Sequence, residues 1–296
     1  MDDFYLDKIL LGHNQFFGTD HMSFERGAER ASHFSKIENV IHIIRYAYKN
    51  GATGLMMSTH DNAKLIADEL AKDDELKQNL HIYVLLPYMA KYVRMANERG
   101  MVNMVGEILS QANWKERIGI MSSGGMGVLQ KDITGMLKAL IDVELLPFKN
   151  LNMKAVFLHN ALSDMVAGLG LEEIPHFFSG YISEKYQVAP AFCTLNSPIL
   201  MNFLNDIKIN NPVLMAPFNP MGFQMNPSKE EAENVLRKIP SRMIAMSTLA
   251  AGYVKPKEAY TYISSLPEIK SVIVGASSRN HINENFKLIK KYCHNE

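Results

Sequence analysis

The sequence predicts an α/β protein folded as one (β/α)₈ barrel. Nine short apolar runs alternate with longer segments of helical periodicity along the 296 residues. The runs are continuously apolar, which is typical of parallel strands that are buried on both faces. The turn after the first run, at 12–18, lacks the Gly-x-Gly-x-x-Gly pattern of an open dinucleotide-binding sheet. Chain length and strand number therefore favour the barrel over the doubly wound sheet, which is the main alternative.

Eight of the nine runs are taken as the barrel strands. The run at 117–121 is left out, because residues 122–127 after it resemble a loop and 81–86 is more apolar. The whole chain, 1–296, is then one domain, with an irregular insertion around 88–150. The predicted strands are 8–12, 54–58, 81–86, 153–158, 188–193, 213–218, 242–247 and 271–275.

Several helix boundaries can also be predicted. An apolar stripe over 36–49 is followed by Gly51, a typical helix stop. Ser228 and Glu231 form a capping box for a helix over 228–238, and Pro256 can open another. Ser277 or Ser278 is expected to cap the last helix. The acidic pair at 142 and 144 is expected on a solvated helix face.

Composition excludes several classes of protein. Lysine plus arginine and aspartate plus glutamate balance at 31 each, which argues against a strongly basic nucleic-acid-binding surface. No apolar run approaches the roughly 18–20 residues that span a bilayer, and the first residues do not resemble a secretory signal. Two cysteines, Cys193 and Cys293, exclude a disulfide framework. We expect a cytoplasmic protein that binds a small-molecule substrate, with its oligomeric state left open.

The active site of a (β/α)₈ barrel is built at the carboxyl ends of its strands. Polar residues follow nearly every predicted strand here, and we expect many of them to line one pocket. They are His13, Asn14, Gln15, Thr59, His60, Asp61, Tyr88, Lys91, His159, Asn160, Thr194, Asn196, Asn219, Ser247, Ser277 and Arg279.

The predicted catalytic residues are His13, His60, Asp61 and His159. An imidazole titrates near pH 6.5, which suits acid–base chemistry, and Asp61 can orient His60. The structural alternatives are that His13 caps backbone groups at the barrel mouth and that Asp61 caps a helix over 62–72. A metal site is not expected, because the sequence has no H-x-H on the first strand and no H-E-x-x-H motif.

The predicted substrate-binding residues are Asn14, Tyr88, Lys91 and Asn219, which also follow strands. Lys91 could supply a cation for an anionic substrate, or it could be an ordinary surface lysine.

Segments in the C-terminal third resemble the aldo-keto reductases. The segment 213–220 (VLMAPFNP) is similar to their sixth strand, and 244–252 (IAMSTLAAG) to their seventh strand and its cofactor-covering loop. The segment 272–285 (VIVGASSRNHINEN) is similar to their eighth strand and following helix. Residues 157–159 resemble the fourth strand with its histidine, and 50–54 the entry to the second.

The resemblance implies NADP(H) lying across the barrel mouth, with its pyrophosphate and adenosine end against 248–252 and 275–285. Arg279 would then contact a phosphate, Asn285 would contact the adenine, and His159 would act as the acid with help from His13 or His60. The cofactor-binding residues implied in this way are Asn196, Ser247, Leu249, Gly252, Gly275, Ser277, Arg279 and Asn285.

The catalytic set departs from that of the family, which uses an Asp, a Tyr, a Lys and a His. Met56 or Met57 stands where the Asp is expected, no Tyr follows at the usual distance, and no Lys ends the strand at 81–86. Only His159 matches. We therefore expect an NADP(H)-dependent oxidoreductase with non-standard catalytic residues. The alternatives are a barrel lyase, epimerase or isomerase that acts by proton transfer on a phosphorylated or nucleotide-linked molecule, and a non-catalytic small-molecule binder.

Overall fold

The structure is a computed structural model that describes residues 4–18, 27, 31–60, 62–87 and 133–293. Eight parallel strands form a closed barrel in which each strand pairs with its neighbours in sequence and the first pairs with the last. The strands are β1 (Ile9–Gly12), β2 (Gly54–Ser58), β3 (His81–Leu86), β4 (Met153–Leu158), β5 (Ala189–Cys193), β6 (Val213–Pro217), β7 (Arg242–Met246) and β8 (Ile269–Gly275).

This architecture confirms the predicted (β/α)₈ barrel. Each of the eight chosen runs is a strand, and the largest boundary difference is at β8, which begins at Ile269 rather than at residue 271. The choice of 81–86 as a barrel strand is correct, because His81–Leu86 pairs with β2 and β4. The rejected run at 117–121 lies outside the described residues.

Helices follow the strands and cover the outside of the barrel. They are α1 (Ile37–Lys49), α2 (Ala63–Leu70), α3 (Asp74–Asn79), α4 (Ile133–Leu145), α5 (Asn160–Leu169), α6 (Glu173–Tyr181), α7 (Ser197–Asp206), α8 (Lys229–Lys238), α9 (Pro256–Ser264) and α10 (Arg279–Tyr292). The described part of the expected insertion at 88–150 contains α4 and a short 3₁₀ helix, Leu146–Phe148.

The helices α8, α9 and α10 begin at the residue types that were expected to start them. Ser228 Oγ accepts a hydrogen bond from the Glu231 N–H at 3.2 Å, and Pro256 is the first residue of α9. Ser278, rather than Ser277, caps α10 by accepting from the His281 N–H at 3.3 Å.

The expectation of a solvated face at 142 and 144 is wrong. Asp142 is only 4% exposed, because its carboxylate accepts hydrogen bonds from the Tyr181 and Tyr186 hydroxyls at 2.7 and 2.6 Å. Lys185 adds an ion pair at 2.7 Å. These contacts fasten α4 to α6 and to the π-helical turn Ile182–Tyr186.

Side chains of the strands alternate between two apolar clusters. One fills the barrel and the other packs between strands and helices. On β2, Met56 belongs to the barrel interior, whereas Leu55 and Met57 pack outward. The same alternation directs Ser58 inward at the carboxyl end of β2. On β4 it directs Phe157, and then His159 just after the strand, toward the interior.

The amino end of the barrel is closed by a buried polar cluster around Asp7. Its carboxylate accepts hydrogen bonds from the Thr53 hydroxyl at 2.6 Å and from His81 Nδ1 at 2.9 Å. The Tyr83 hydroxyl also donates to it, and Lys154 Nζ lies 3.1 Å away. Burial alone raises the pKa of Asp7, but the hydrogen bonds from His81, Thr53 and Tyr83 outweigh it and hold that pKa well below its usual range.

Among the described residues, none of the helices combines the length and apolar character that a membrane span requires.

Candidate functional site at the carboxyl end of the barrel

His13 lies directly after β1 and is 8% exposed. Its imidazole makes a hydrogen bond to the backbone of Met56 on the adjacent strand, and its ring is 5.4 Å from that of Phe17. These two contacts fix the ring. Nδ1 is buried and has no hydrogen-bond partner among the described residues.

His60 follows β2 and stacks on the ring of the same aromatic residue, Phe17. The Phe17 and His60 rings are 4.2 Å apart with an interplanar angle of 12°. The Asn62 N–H donates to His60 Nδ1 at 3.1 Å. The 3₁₀ turn Asn14–Phe17 after β1 therefore places an aromatic ring in contact with two of the predicted catalytic histidines.

His159 is the N-cap of α5, and its Nδ1 accepts a hydrogen bond from the Ala161 N–H at 3.2 Å. Its backbone N–H donates to the Leu86 carbonyl at 2.8 Å, which ties the residue to the end of β3. Burial lowers the pKa of the His159 imidazole. The chain thus holds this side chain in one place by the same hydrogen bond that starts the helix.

The three imidazoles share one site. Burial lowers the pKa of His13 to about 4, a hydrogen bond to Met56 partly opposes this, and repulsion from the protonated forms of His60 and His159 lowers it further. β1 pairs with β2 and β8, whereas β4 pairs with β3 and β5. Since β1 and β4 are not neighbours, His13 and His159 interact across the barrel mouth.

The hydrogen bond at His159 defines which of its ring nitrogens carries the proton. Its Nδ1 accepts from the Ala161 N–H, so the neutral imidazole carries its proton on Nε2. Because its pKa is about 4, His13 is neutral at pH 7. The site therefore combines an N–H donor on His159 with a neutral, buried imidazole at His13.

This arrangement does not suit a metal ion. A histidine ligand offers a ring lone pair to the metal and donates its other N–H to a carbonyl or carboxylate. In His60 and His159 the hydrogen bond runs the other way, because Nδ1 accepts from a backbone N–H instead of donating to a carbonyl or carboxylate. Over the described ranges, no group of three or more His, Cys, Asp or Glu residues has the geometry of a metal site.

Ser58 is a site residue that the sequence reasoning missed. Its side chain faces inward at the last position of β2 and is 4% exposed, and its Oγ has no hydrogen-bond partner among the described residues. The available signal was the alternation along β2, because Met56 and Ser58 share the inward face. The sequence pattern by itself identifies Ser58 only as the last residue of the predicted strand 54–58.

Apolar side chains stand on β2 and at the end of β3, where the resemblance implies catalytic residues. Met56, not Met57, is the β2 side chain that faces the barrel interior, where the resemblance implies an Asp. β3 ends at Leu86, which packs outward. The β2 position beside the three histidines is therefore occupied by an apolar side chain, Met56.

The loop after β7 contains the predicted cofactor residues Ser247, Leu249 and Gly252. Four of its residues have positive φ angles: 53° at Ser247, 44° at Ala250, 57° at Ala251 and 101° at Gly252. Such conformations cost non-glycine residues free energy and cluster at ligand-binding sites. Ser247 Oγ donates to Gln224 Oε1 at 3.2 Å, Leu249 is half-buried, and Gly252 is exposed with open space beside its Cα.

The end of β8 and the start of α10 carry Gly275, Ser277 and Arg279. A Cβ at Gly275 would lie 3.1 Å from Gln15 Nε2, so the glycine lets the turn after β1 approach β8. Ser277 Oγ lies 3.3 Å from His281 Nδ1. Arg279 is exposed, and its Nε and Nη2 lie 3.0 and 2.6 Å from His42 Nε2.

The predicted asparagines serve mainly in local structure. Asn219 bonds to the backbone N–H and carbonyl of Phe223 with both of its amide atoms, at 2.8 Å each. Asn285 is buried, accepts from the Tyr260 hydroxyl at 2.7 Å and donates to the His281 carbonyl at 2.7 Å. Asn196 caps α7, and Asn14 is half-buried in the 3₁₀ turn.

Three predicted site residues, Asp61, Tyr88 and Lys91, lie outside the described residues. Their predicted roles remain predictions.

A separate surface groove of about 590 Å³ lies between the loop after β6 and α9. It contains none of the predicted site residues. Its lining comprises Pro220, Lys255, Lys257, Glu258, Thr261, Tyr262 and Ser265.

No protein-family model and no curated protein matches the sequence. Solved structures do match over nearly the whole chain. Two from Pseudomonas aeruginosa, each named "putative aldo-keto reductase", superpose with TM-scores of 0.58 and 0.56 at 10% and 11% identity. Each alignment covers 97% of this chain and 90% of the other. A third, named "putative 2,5-diketo-D-gluconic acid reductase B", has a TM-score of 0.52 at 10% identity and covers 95% of this chain and 81% of its own. At these identities the likeness establishes the fold, and the chain is a (β/α)₈ barrel of the aldo-keto-reductase-like type.

Proposed function

We propose that the chain is an oxidoreductase that interconverts a small carbonyl compound and its alcohol with NADP(H), using histidines at the barrel mouth. The observation that carries this proposal is the convergence of His13, His60 and His159, which come from three different strand ends in a barrel of this fold. Within the catalytic set of the family, His159 is also the residue that the sequence retains.

The cofactor region fits the phosphate-bearing end of NADP(H) better than its adenine end. Gly252 has open space beside it, and the exposed Arg279 brings a positive charge to the N-terminus of α10, where helix N–H groups favour an anion. Arg279 would exchange its contact with His42 for the phosphate. Asn285 fits poorly, because its amide is buried and already bonded to Tyr260 and His281. We therefore assign the phosphate contact to Arg279 and leave the adenine contact unassigned.

The protein's own part in the reaction follows from the tautomers. When bound, the cofactor would supply or accept the hydride. His159 would donate its Nε2–H to the carbonyl oxygen, and its bond from Ala161 would keep the ring oriented during the reaction. Because burial lowers the pKa of His159, this donor is a neutral imidazole near pH 7. It would hold the carbonyl oxygen by a hydrogen bond, and the alkoxide formed by hydride transfer would take its proton from water.

Titration of the purified protein with NADPH, followed by nicotinamide fluorescence, tests this proposal. We expect saturable binding that the Arg279→Ala substitution weakens by roughly 1.5–3 kcal/mol, the value of a hydrogen bond to a charged group. Arg237→Ala is the control, because Arg237 lies in the last turn of α8 and pairs with Glu233 at 3.2 Å. An unchanged NADPH signal at saturating protein would refute the oxidoreductase.

The second candidate is a lyase, epimerase or isomerase that acts by proton transfer at the same mouth on a phosphorylated or nucleotide-linked substrate. The buried acceptor on neutral His13 favours it, because an unprotonated imidazole can remove a proton. This candidate predicts binding of inorganic phosphate near Arg279 without binding of NADPH, and isothermal calorimetry with the two ligands separates the candidates.

A further inference from the structure

Arg279, to which the proposed function assigns the phosphate contact, is held by a histidine of another helix. Its Nε and Nη2 lie 3.0 and 2.6 Å from Nε2 of His42 on α1. A guanidinium has hydrogen-bond donors and no acceptor, so His42 Nε2 is the acceptor in both contacts. The imidazole is therefore unprotonated at Nε2.

A second residue of α1 supports the same position of Arg279. The guanidinium lies over the Tyr46 ring, 5.0 Å from its centre, within the range of a cation–π contact. Tyr46 follows His42 by one helical turn, and its hydroxyl donates to Asn283 Oδ1 on α10 at 2.9 Å. These contacts hold the guanidinium against α1.

The edge of the guanidinium that contacts His42 is one that can bind phosphate. The N–H groups on Nε and Nη2 form a parallel pair of donors, which suits two oxygens of a carboxylate or phosphate. His42 Nε2 accepts from this pair in the absence of an anion. An oxyanion that binds the same pair must displace His42, so the two compete for Arg279.

The competition depends on the charge of the imidazole. A proton on Nε2 removes the acceptor and sets a positive charge against the guanidinium. Imidazole side chains in proteins change charge between about pH 5 and 8. As the pH falls through this range, Arg279 is released, and His42 adds a second positive charge beside the anion.

We infer that His42 is a positioning residue, which occupies the phosphate-binding edge of Arg279 when it is neutral and releases that edge when it is protonated. The inference rests on the proposed function for the assignment of a phosphate to Arg279. The contact between the two side chains rests on the two distances.

Other charged and titratable groups near His42 must be separated from its effect. They are Glu38, Arg45 and Tyr46, within about one turn on α1, and Arg279 and His281 in the first turn of α10. Arg45 pairs with Asp73, and the charged residues of α2, which also packs against α1, form ion pairs of their own. His281 is a second imidazole at the start of α10, so its substitution is the matched control.

The test is a titration of the protein with sodium sulfate at constant ionic strength, near pH 5.5 and near pH 7.5, a range in which imidazoles change charge. Sulfate resembles a phosphate group and keeps its charge throughout. The amide resonances of residues 276–281 report binding by ¹⁵N NMR. We expect about tenfold tighter binding at the lower pH, with about threefold from the released contact and about threefold from the added charge.

Two substitutions of His42 separate these contributions. His42→Leu should bind sulfate about threefold more tightly than the unsubstituted protein near pH 7.5, because Arg279 is no longer held. His42→Gln keeps an acceptor that does not titrate, so its affinities at the two pH values should agree within about threefold. His281→Gln should keep most of the pH dependence.

The outcomes separate the role of His42 from the proposed function. If His42→Leu does not bind more tightly near pH 7.5, or if His42→Gln keeps the full pH dependence, the inference is wrong. When Arg279→Ala nevertheless abolishes sulfate binding, the phosphate contact of the proposed function stands. Sulfate binding that Arg279→Ala leaves unchanged refutes the role of His42 and the phosphate assignment together.

Discussion

His13 and Asp7 are buried titratable residues at opposite ends of the barrel, and their hydrogen bonds differ. Asp7 at the amino end receives hydrogen bonds from Thr53, His81 and Tyr83, so its charge is compensated. His13 at the carboxyl end keeps an unpartnered nitrogen and remains neutral. In barrels of this kind the amino end serves stability and the carboxyl end serves chemistry, and the two residues follow that division.

His13 should make stability depend on pH. Its pKa is about 4 in the folded protein and near 6.5 when unfolded, so between these values the unfolded chain binds more protons. The stabilisation from the neutral imidazole is thus present above about pH 6.5 and is lost as the pH falls toward 4. Urea denaturation of the protein and of His13→Gln should show their difference in unfolding free energy changing by about 3 kcal/mol across that window. His176→Gln should follow the unsubstituted protein, and a constant difference for His13→Gln would contradict the assigned pKa.

Asp7→Asn should destabilise the protein by about 3–5 kcal/mol, because it leaves Lys154 without its counter-charge in a buried site. The Lys154 side chain is 10% exposed and lies 3.1 Å from Asp7. Asp68→Asn is the matched control, since its exposed pair with Lys64 should be worth about 1 kcal/mol or less. Equal losses for the two variants, measured by denaturant titration, would show that the Asp7 cluster does not stabilise the fold.

The strands and helix starts could be predicted well from the sequence. The contacts that residues at the barrel mouth make with one another could be predicted only in part. Continuous apolar runs define parallel strands locally, and Ser228 and Pro256 mark helix starts because caps act within one turn. The partners of His13 could not be predicted, since they depend on contacts across the barrel. Asp142 was mispredicted for the same reason: its tyrosine partners come from other elements.

The loop after β7 is strained, and a substitution can measure the strain. Ala251 has a φ of 57°, a conformation that costs an L-residue roughly 1–2 kcal/mol and costs glycine almost nothing. Ala251→Gly should therefore leave stability unchanged or raise it by up to about 1 kcal/mol, after glycine's entropic cost. Ala259→Gly, in the middle of α9, should lower it by about 1 kcal/mol or more. Equal destabilisation in thermal or urea denaturation would show that Ala251 is not strained.

The barrel as a whole has the architecture of its structural neighbours. Met56 occupies the interior position where the family resemblance implies an Asp, and His13, His60 and His159 are grouped at the carboxyl end. A barrel supports many chemistries because the strands are fixed while the loops at their ends vary.

Reduction of simple aldehydes and ketones should consequently be weak. Because the sequence has no Asp, Tyr or Lys at the spacing that the family resemblance implies, we expect the protein to lack the positioned acid that typically contributes 10²–10⁴-fold. NADPH oxidation with butanone or propanal should fall well below about 1 s⁻¹ in a spectrophotometric assay. Turnover in the usual range of about 1–10³ s⁻¹ would mean that another group supplies the proton.

We propose that NADP(H) and substrate meet at the carboxyl mouth of the barrel, beside its three histidines. A crystal structure of the protein grown with saturating NADP⁺ would decide this. We expect the nicotinamide ring beside His159 and a phosphate within hydrogen-bond distance of Arg279. An empty mouth, or NADP⁺ bound elsewhere on the protein, would contradict the proposal.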